Sequence, residues 1–239
     1  MNTASSTTSI VLVPGHWLGA SAWDEVAGPL RTLGHRVSPL TLPGLDPDDP
    51  NRSTRTLDDQ AAAIIAALRT ADGPGPAALV GHSGANGPIS LVLDRHPELV
   101  GRMVWVDSGP LSSGTVFAPG FALAELPLPD FETLSHSASL VGLDEAALAR
   151  FRASAVAEPG PVLRGRVDLT NDASRHVPTT LICCSYPSEQ VLSLAASGHP
   201  MFAALTALTD LDVVDLPTGH WPMWSRPSEL AALISAAAG

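Results

Sequence analysis

Ser83 lies in "ALVGHSGANGP", directly after an apolar run and directly before a stretch with helical periodicity, with Gly81 and Gly84 around it. A serine at a tight strand-to-helix turn projects its hydroxyl, and small neighbours let the turn close without clashes. The unpaired N–H groups at the start of the helix favour negative charge that develops there. This is the setting of an acyl-transfer nucleophile; the plainer reading is a helix N-cap serine. His220, in "DLPTGHWPMWSRP", falls in a loop after the last strand-like segment. From there it could reach over the sheet to Ser83 as general base, then return the proton to a leaving group. The alternative is an ordinary surface or capping histidine.

An acyl-transfer serine also needs two donors aimed at the oxyanion. One is the backbone N–H of Gly84, the residue after the nucleophile. The other comes from "SIVLVPGHWLGASAWDEV" (Ser9 to Val26), where an apolar run stops at Pro14-Gly15 and a histidine and tryptophan follow. Gly15 lets the chain turn, the N–H of His16 becomes the second donor, and Trp17 forms pocket wall. A simple strand-ending turn is the competing reading. His82 precedes the nucleophile and packs or hydrogen-bonds nearby, and Trp221 stands beside His220 at the pocket.

The elements that must position these residues alternate. "SIVLV" (Ser9 to Val13), "HRVSPL" (His35 to Leu40), "AALVGH" (Ala77 to His82), "RMVWVDSGP" (Arg102 to Pro110), "TTLICC" (Thr179 to Cys184) and "LDVVDL" (Leu211 to Leu216) read as strands. Several are continuous apolar runs without alternation, as in parallel strands covered on both faces. Helical spacing links Trp23, Val26, Leu30 and Leu33, and again Leu57, Ala61, Ile64, Ile65 and Leu68. "ANGPISLVLDRHPELV" is a helix with Pro88 in its first turn, "HPMFAALTAL" (His199 to Leu208) another, and a last one follows Ser225. From Leu111 to Val177 the rhythm breaks into a proline-rich stretch with no convincing strand and one clear helix, Asp144 to Arg152, capped by Asp144. The expected fold is α/β: a mostly parallel sheet flanked by helices, with an inserted helical lid. The expected parts are a tail over 1–9, core over 10–110 and 178–239, and the lid over 111–177. In an open parallel sheet the usable crevice lies beyond the carboxyl ends of the strands.

Composition narrows the partners. The chain of 239 residues carries 13 basic and 24 acidic residues, every basic one an arginine, for a net charge of −11. That balance argues against nucleic acid and against an anionic membrane surface. No apolar run reaches bilayer length, and residues 1–9 lack the pattern of a signal peptide. The two cysteines, Cys183 and Cys184, are adjacent on a strand and point to opposite faces, so a reducing, cytoplasmic setting is the easier reading. A small-molecule substrate is expected, with a homodimer left open. Histidines and acids show no metal-ligand spacing such as His-Glu-x-x-His, and the chemistry needs no cofactor.

At this point the sequence resembles the α/β-hydrolase superfamily over nearly its whole length. "VPGHWLGASAWDEV" is similar to the segment reading His-Gly, two residues, a glycine and a later tryptophan in the plant-type methylesterase and hydroxynitrile lyase branch. Gly15, Gly19 and Trp23 match it, while Pro14 replaces its histidine. "GHSGA" matches the nucleophile turn at Ser83, with Ala85 in place of the usual last glycine, and "GHWPMWSRPSEL" resembles the segment bearing the catalytic histidine, at His220. The resemblance implies a third, acidic member a few residues beyond the strand after the lid. There the chain reads "CCSYPSEQ", where Glu189 is the only nearby acid. Asp107, ending "MVWVD" on the strand before the lid, is the other candidate and the favoured one. An absent acid is the third reading.

Serine at the nucleophile position excludes the aspartate-dependent dehalogenase and epoxide hydrolase chemistry of the superfamily. Cyanohydrin cleavage in the related lyases relies on a lysine, and this chain has none. Hydrolysis of a small uncharged ester or lactone through an acyl-serine remains. A cyclase-like biosynthetic enzyme, or a small-molecule-binding protein on the same fold, is the alternative. Lid residues Phe117, Phe121, Leu123, Leu126, Leu128 and Phe131 are expected to wall an apolar chamber, with Phe121 in the pocket.

Overall fold

The computed structural model of the chain describes residues 7–73 and 75–239. The tail expected over 1–9 therefore lies outside the described residues up to residue 6. Of its remaining residues, Thr8 donates its hydroxyl to the Ala238 carbonyl (3.1 Å), and Ser9 already belongs to the first strand.

In chain order the first half runs β1 (Ser9–Val13), α1 (Asp24–Thr32), β2 (Arg36–Pro39), α2 (Leu57–Thr70), β3 (Ala77–His82), α3 (Asn86–Arg95) and β4 (Val100–Val106). Next comes an insert with β5 (Thr115–Val116), β6 (Glu125–Leu126), α4 (Phe131–Ser135), α5 (Glu145–Ser154), β7 (Glu158–Pro159), α6 (Gly160–Leu163) and β8 (Arg166–Val167). The core resumes with β9 (Thr179–Cys183), α7 (Ser188–Ala196), β10 (Leu211–Asp215), α8 (Pro222–Ser225) and α9 (Pro227–Ala238). Six strands form one parallel sheet in the order β10-β9-β4-β3-β1-β2.

The lack of alternation in the strand sequences has its cause in the layers. Successive residues of a strand face opposite sides, and both sides are covered. Val11, Val13, Leu79, Met103, Trp105 and Leu181 pack with Ile64, Ile89 and Val191 of α2, α3 and α7. Ile10, Leu12, Val80, Val104, Val106 and Ile182 pack with Val26 and Leu30 of α1 and Leu230 and Ile234 of α9. Cys183 and Cys184 divide between these two cores in the same way. Truncating a fully buried residue such as Ile89 to alanine costs about 2–5 kcal/mol at sites of this kind. No helix among the described residues is long and apolar enough to cross a membrane.

The chain order reverses at β1: its neighbours are β2 on one side and β3 on the other. Loops leaving β1 and β3 thus part at a topological switch point and open a crevice there. Both the loop at His16 and the turn at Ser83 leave the sheet at this place.

Two expectations differ from what is seen. The helix expected over His199 to Leu208 is reduced to a 3-10 segment, Ala203–Ala207, and the full helix is α7, earlier in the chain. Pro187 supplies the extended residue before it, and the backbone N–H and hydroxyl of Ser188 bond Asp215 (2.7 and 2.6 Å). Gly198, at φ 77°, ends the run. The insert, expected to lack strands, holds two antiparallel ladders, β5 with β8 and β6 with β7. Each strand has two residues, too few for any periodicity to show in sequence. Asp144 does cap α5, accepting from the Ala147 N–H (2.8 Å).

Candidate active site

Register brings the first two residues together. His82 of β3 pairs with Val106 of β4, so Ser83 and Asp107 leave adjacent strands at the same level. Ser83 opens a 3-10 turn, Ser83–Ala85, that runs into α3. Among the described residues three non-glycines have left-handed backbone: Trp17 (φ 66°), Ser83 (φ 51°) and Asp107 (φ 44°). Such backbone is costly for ordinary residues and persists where surroundings over-determine it. All three surround one cavity.

His220 arrives from the loop after β10. Its N–H donates to the Ser139 carbonyl (2.8 Å), and the Gly219 N–H to the Val141 carbonyl (3.0 Å), both in the insert. From below, His82 Nε2–H donates to the His220 carbonyl (2.6 Å). The imidazole then bridges two partners. His220 Nδ1–H donates to Asp107 Oδ2 (2.5 Å), which leaves Nε2 to accept from the Ser83 hydroxyl (2.7 Å).

The Asp107 carboxylate is itself saturated. Oδ1 accepts from the N–H groups of Cys184 (3.0 Å) and Ser185 (2.8 Å), and Oδ2 also from the Ser185 hydroxyl (2.6 Å). Burial pushes this carboxyl upward, but the hydrogen bond and charge of His220, then the two Ser185 bonds, outweigh burial and hold it at about 2. His82 is driven the other way. Burial first, then the neighbouring His220, depresses its imidazole to about 3, so it is a neutral donor near pH 7. Glu189 sits exposed in the first turn of α7 and makes no hydrogen bond to His220.

On the other side of Ser83 the loop after β1 comes very close. A Cβ on Gly15 would lie 2.7 Å from Ser83 Cβ, and one on Gly84 would lie 2.3 Å from the His16 ring. Only glycine permits this approach at either position. Among the described residues the His16 N–H has no acceptor, and the Gly84 N–H falls in a helical first turn, where the helix supplies none. His16 Nδ1 lies 3.1 Å from Glu158 Oε2. Sequence reasoning missed Glu158 altogether, for a single acid in "VAEPGPV" belongs to no pattern. Its neighbour Gln60 did leave a trace: it is a polar residue on the apolar face of α2 and is 2% exposed.

The cavity above these groups measures about 1230 Å3. Ser83, His220, His16, His82, Trp17 and Trp221 all line it. So do Asp107 and Gly84, but among the described residues no arginine or glutamate does. Of the six insert residues expected to wall it only Phe117 takes part, and Phe121 does not. Phe121 is held in a turn by its N–H to the Ala118 carbonyl (3.1 Å) and by Arg164 on its own carbonyl (3.0 Å). Phe131 packs instead against Phe151, 5.7 Å between ring centroids, and Leu123 is 64% exposed. The insert's contribution comes largely from Leu134 to Val141, a stretch with no marked periodicity.

Comparison with known proteins agrees with the architecture. Esterase PIR7B of Oryza sativa subsp. japonica is 31% identical over 106 residues, 43% of this chain and 39% of that protein. Methylesterase 18 of Arabidopsis thaliana is 30% identical over 108 residues, 44% of this chain and 41% of its own length. The match therefore spans about two-fifths of each curated relative. An extracellular alpha/beta-hydrolase from a Paenibacillus species, with structural and functional homology to tobacco salicylic acid binding protein 2, superposes with a TM-score of 0.76. Identity there is 21%, covering 97% of this chain and 99% of that one, which speaks for the fold. The alpha/beta hydrolase family matches residues 10–233, nearly the whole chain, and the protein belongs to that family.

Proposed function

We propose that the protein is a serine esterase that cleaves an uncharged small-molecule ester or lactone through an acyl-enzyme on Ser83. The observation that carries this reading is the unbroken hydrogen-bond chain from Ser83 Oγ through His220 to Asp107, at 2.7 and 2.5 Å. The names of the two plant relatives, an esterase and a methylesterase, point the same way.

On this route Ser83 Oγ attacks the substrate carbonyl carbon as His220 Nε2 takes the hydroxyl proton. The carbonyl oxygen becomes an oxyanion facing the N–H groups of His16 and Gly84. Asp107 keeps the imidazole in the tautomer that can accept and stabilises the imidazolium formed. When the tetrahedral intermediate collapses, His220 passes its proton to the departing alkoxide and the alcohol leaves. Water, deprotonated by His220, then attacks the acyl carbon, and Ser83 recovers its proton as the acid is released. The cavity offers apolar and neutral polar surface, and its acid, Asp107, is fully engaged.

The test is Ser83→Ala, assayed on short p-nitrophenyl esters. Turnover is expected to fall by about 10⁵ to 10⁶, and adding His220→Ala should remove little more, because the pair acts as one unit. Undiminished hydrolysis by a folded Ser83→Ala protein would end the acyl-serine reading.

A further inference from the structure

Glu158 is a buried carboxylate that the acyl-transfer route does not use. It is 1% exposed, and among the described residues no arginine pairs with it. Burying a carboxylate is costly unless it is well hydrogen-bonded, and an apolar side chain would join insert to core at lower cost. Its acceptors are spent in a particular way. Oε2 takes the Trp17 N–H (3.3 Å) and faces His16 Nδ1 (3.1 Å). Oε1 takes the amide of Gln60 (3.2 Å), which is itself buried and also donates to the Pro43 carbonyl (3.2 Å). One oxygen thus bonds Trp17 and stands against the ring of the preceding residue of the loop after β1, and the other anchors the carboxylate to α2.

The residues it holds are the ones that need holding. Trp17 has φ 66°, a conformation that a bulky residue leaves when nothing retains it. The insert adds two more bonds to the same residue: the Val156 N–H donates to the Trp17 carbonyl (2.9 Å), and Trp17 Nε1–H to the Leu126 carbonyl (3.0 Å). The His16 ring, its Nδ1 3.1 Å from Glu158 Oε2, lies against Gly84 and meets Phe117 edge-on at 4.6 Å. The same ring therefore spaces the His16 backbone from the Gly84 backbone.

We infer that Glu158 is a positioning residue: from the insert, its carboxylate clamps His16 and Trp17 so that the His16 N–H stays where an oxyanion forms. The inference rests on the acyl-serine reading above. It makes the insert part of the stabilising machinery as well as a cover, since the loop holds its working conformation only while β7 is docked.

The experiment is Glu158→Gln, which keeps the volume but offers one acceptor oxygen where the carboxylate offers two. Donors aimed at an oxyanion act in the transition state and little in the ground state. The expected result is kcat lower by about 10- to 100-fold with KM within about threefold of wild type. Inhibition by an uncharged trifluoromethyl ketone, which forms a tetrahedral oxyanion on the serine, should weaken by a similar factor. Sites are counted with a fluorophosphonate, so kcat refers to folded enzyme. Wild-type kcat per titrated site, with only a lower Tm, would overturn the inference and leave Glu158 a structural staple. If Glu158→Gln does not fold, His16→Ala removes the ring contact with the carboxylate while keeping the backbone N–H. A tenfold fall in kcat at unchanged KM then supports the clamp, and wild-type kinetics overturn it. Ser83→Ala runs beside both variants. If it still turns over ester, the acyl-serine reading has failed; if it is inactive while Glu158→Gln behaves as wild type, the clamp alone has failed.

Discussion

Ser83 and Asp107 stand at the ends of β3 and β4, where strand register alone sets them side by side. The insert reaches the same cavity differently. Its segments touch the site through the carbonyls of Ser139 and Val141, which hold the backbone of Gly219 and His220, and through the Glu158 carboxylate on the loop after β1. The groups proposed to do chemistry ride on rigid sheet and its immediate exits. The groups that shape and tension the site ride on short ladders and turns. The sheet fixes these side chains closely because β3 and β4 are each bonded to a neighbour on both sides, whereas a two-residue ladder fixes only what is bonded across it.

Substitution at the sheet side is expected to have the largest effect. Asp107→Asn keeps the shape but puts an amide where, on the proposed route, a carboxylate holds the imidazole tautomer and stabilises its cation. In serine proteases the equivalent change costs about 10⁴ in kcat, and a loss of that order is expected here. Glu189→Gln, on an exposed helix turn, should cost less than about tenfold. A near-normal kcat for Asp107→Asn beside a crippled Glu189→Gln would reverse the assignment. Thermal melts of both proteins separate loss of chemistry from loss of fold.

The insert side is sharpened by substrate charge. Arginines in the insert are engaged elsewhere: Arg150 with Glu25, Arg166 with Asp168, Arg164 on the Phe121 and Leu123 carbonyls, and Arg152 over the Phe131 ring. None lines the cavity, so no bidentate partner awaits a carboxylate or phosphate. A neutral ester should exceed its carboxylate-bearing analogue in kcat/KM by about 10²-fold, the scale of a buried charge without a partner. Preference for the anionic analogue in a side-by-side assay would contradict this picture of the cavity.

The smallest effect concerns stability, at the joint between the two regions. His82 stands on the sheet and holds the His220 loop through its Nε2–H. Its folded-state value is depressed to about 3, whereas the unfolded chain binds the proton near pH 6.5. Stability from the neutral ring is therefore present above about pH 6.5 and lost progressively as pH falls toward 3, the unfolded state binding more protons in between. Asp107, held at about 2, adds its own loss only below about pH 4. His82→Gln should lower stability near pH 7 by about 1–2 kcal/mol through a poorer bond to His220. It should also flatten the fall between pH 6.5 and 4 by up to one proton, about 1.4 kcal/mol per pH unit. Chemical denaturation at several pH values measures the slope, and an unchanged slope would mean that His82 is protonated in the folded state.

The same contrast explains what could be read from residues alone. Continuous apolar runs such as Ile10 to Val13 and Leu79 to Val80 mark covered parallel strands, and a serine between a buried strand and a helix marks its own turn. Asp107 was reachable because it ends such a strand. Phe121 and Phe117 are the same residue type four positions apart, and nothing in the local pattern says which one meets the cavity; a turn closed through Arg164 decides it. Glu158 was illegible for a related reason. Its partners, His16, Trp17 and Gln60, lie about a hundred residues or more away in sequence, and only the docking of β7 brings them together. The helix misplaced to His199 to Leu208 shows the limit of apolar content as a guide, because Pro187 and Gly198 set the actual boundaries.

The central claim is a covalent acyl group on Ser83, and rapid-quench mass spectrometry of the intact protein observes it directly. Mixed with excess p-nitrophenyl butyrate and quenched in acid within milliseconds, the wild-type chain should gain one butyryl mass, mapped by peptide fragmentation to Ser83. The adduct should persist longer in Asp107→Asn, where deacylation by water is also slowed, and be absent from Ser83→Ala. A wild-type chain that hydrolyses the ester while carrying no adduct, or carrying it on a residue other than Ser83, would contradict the account.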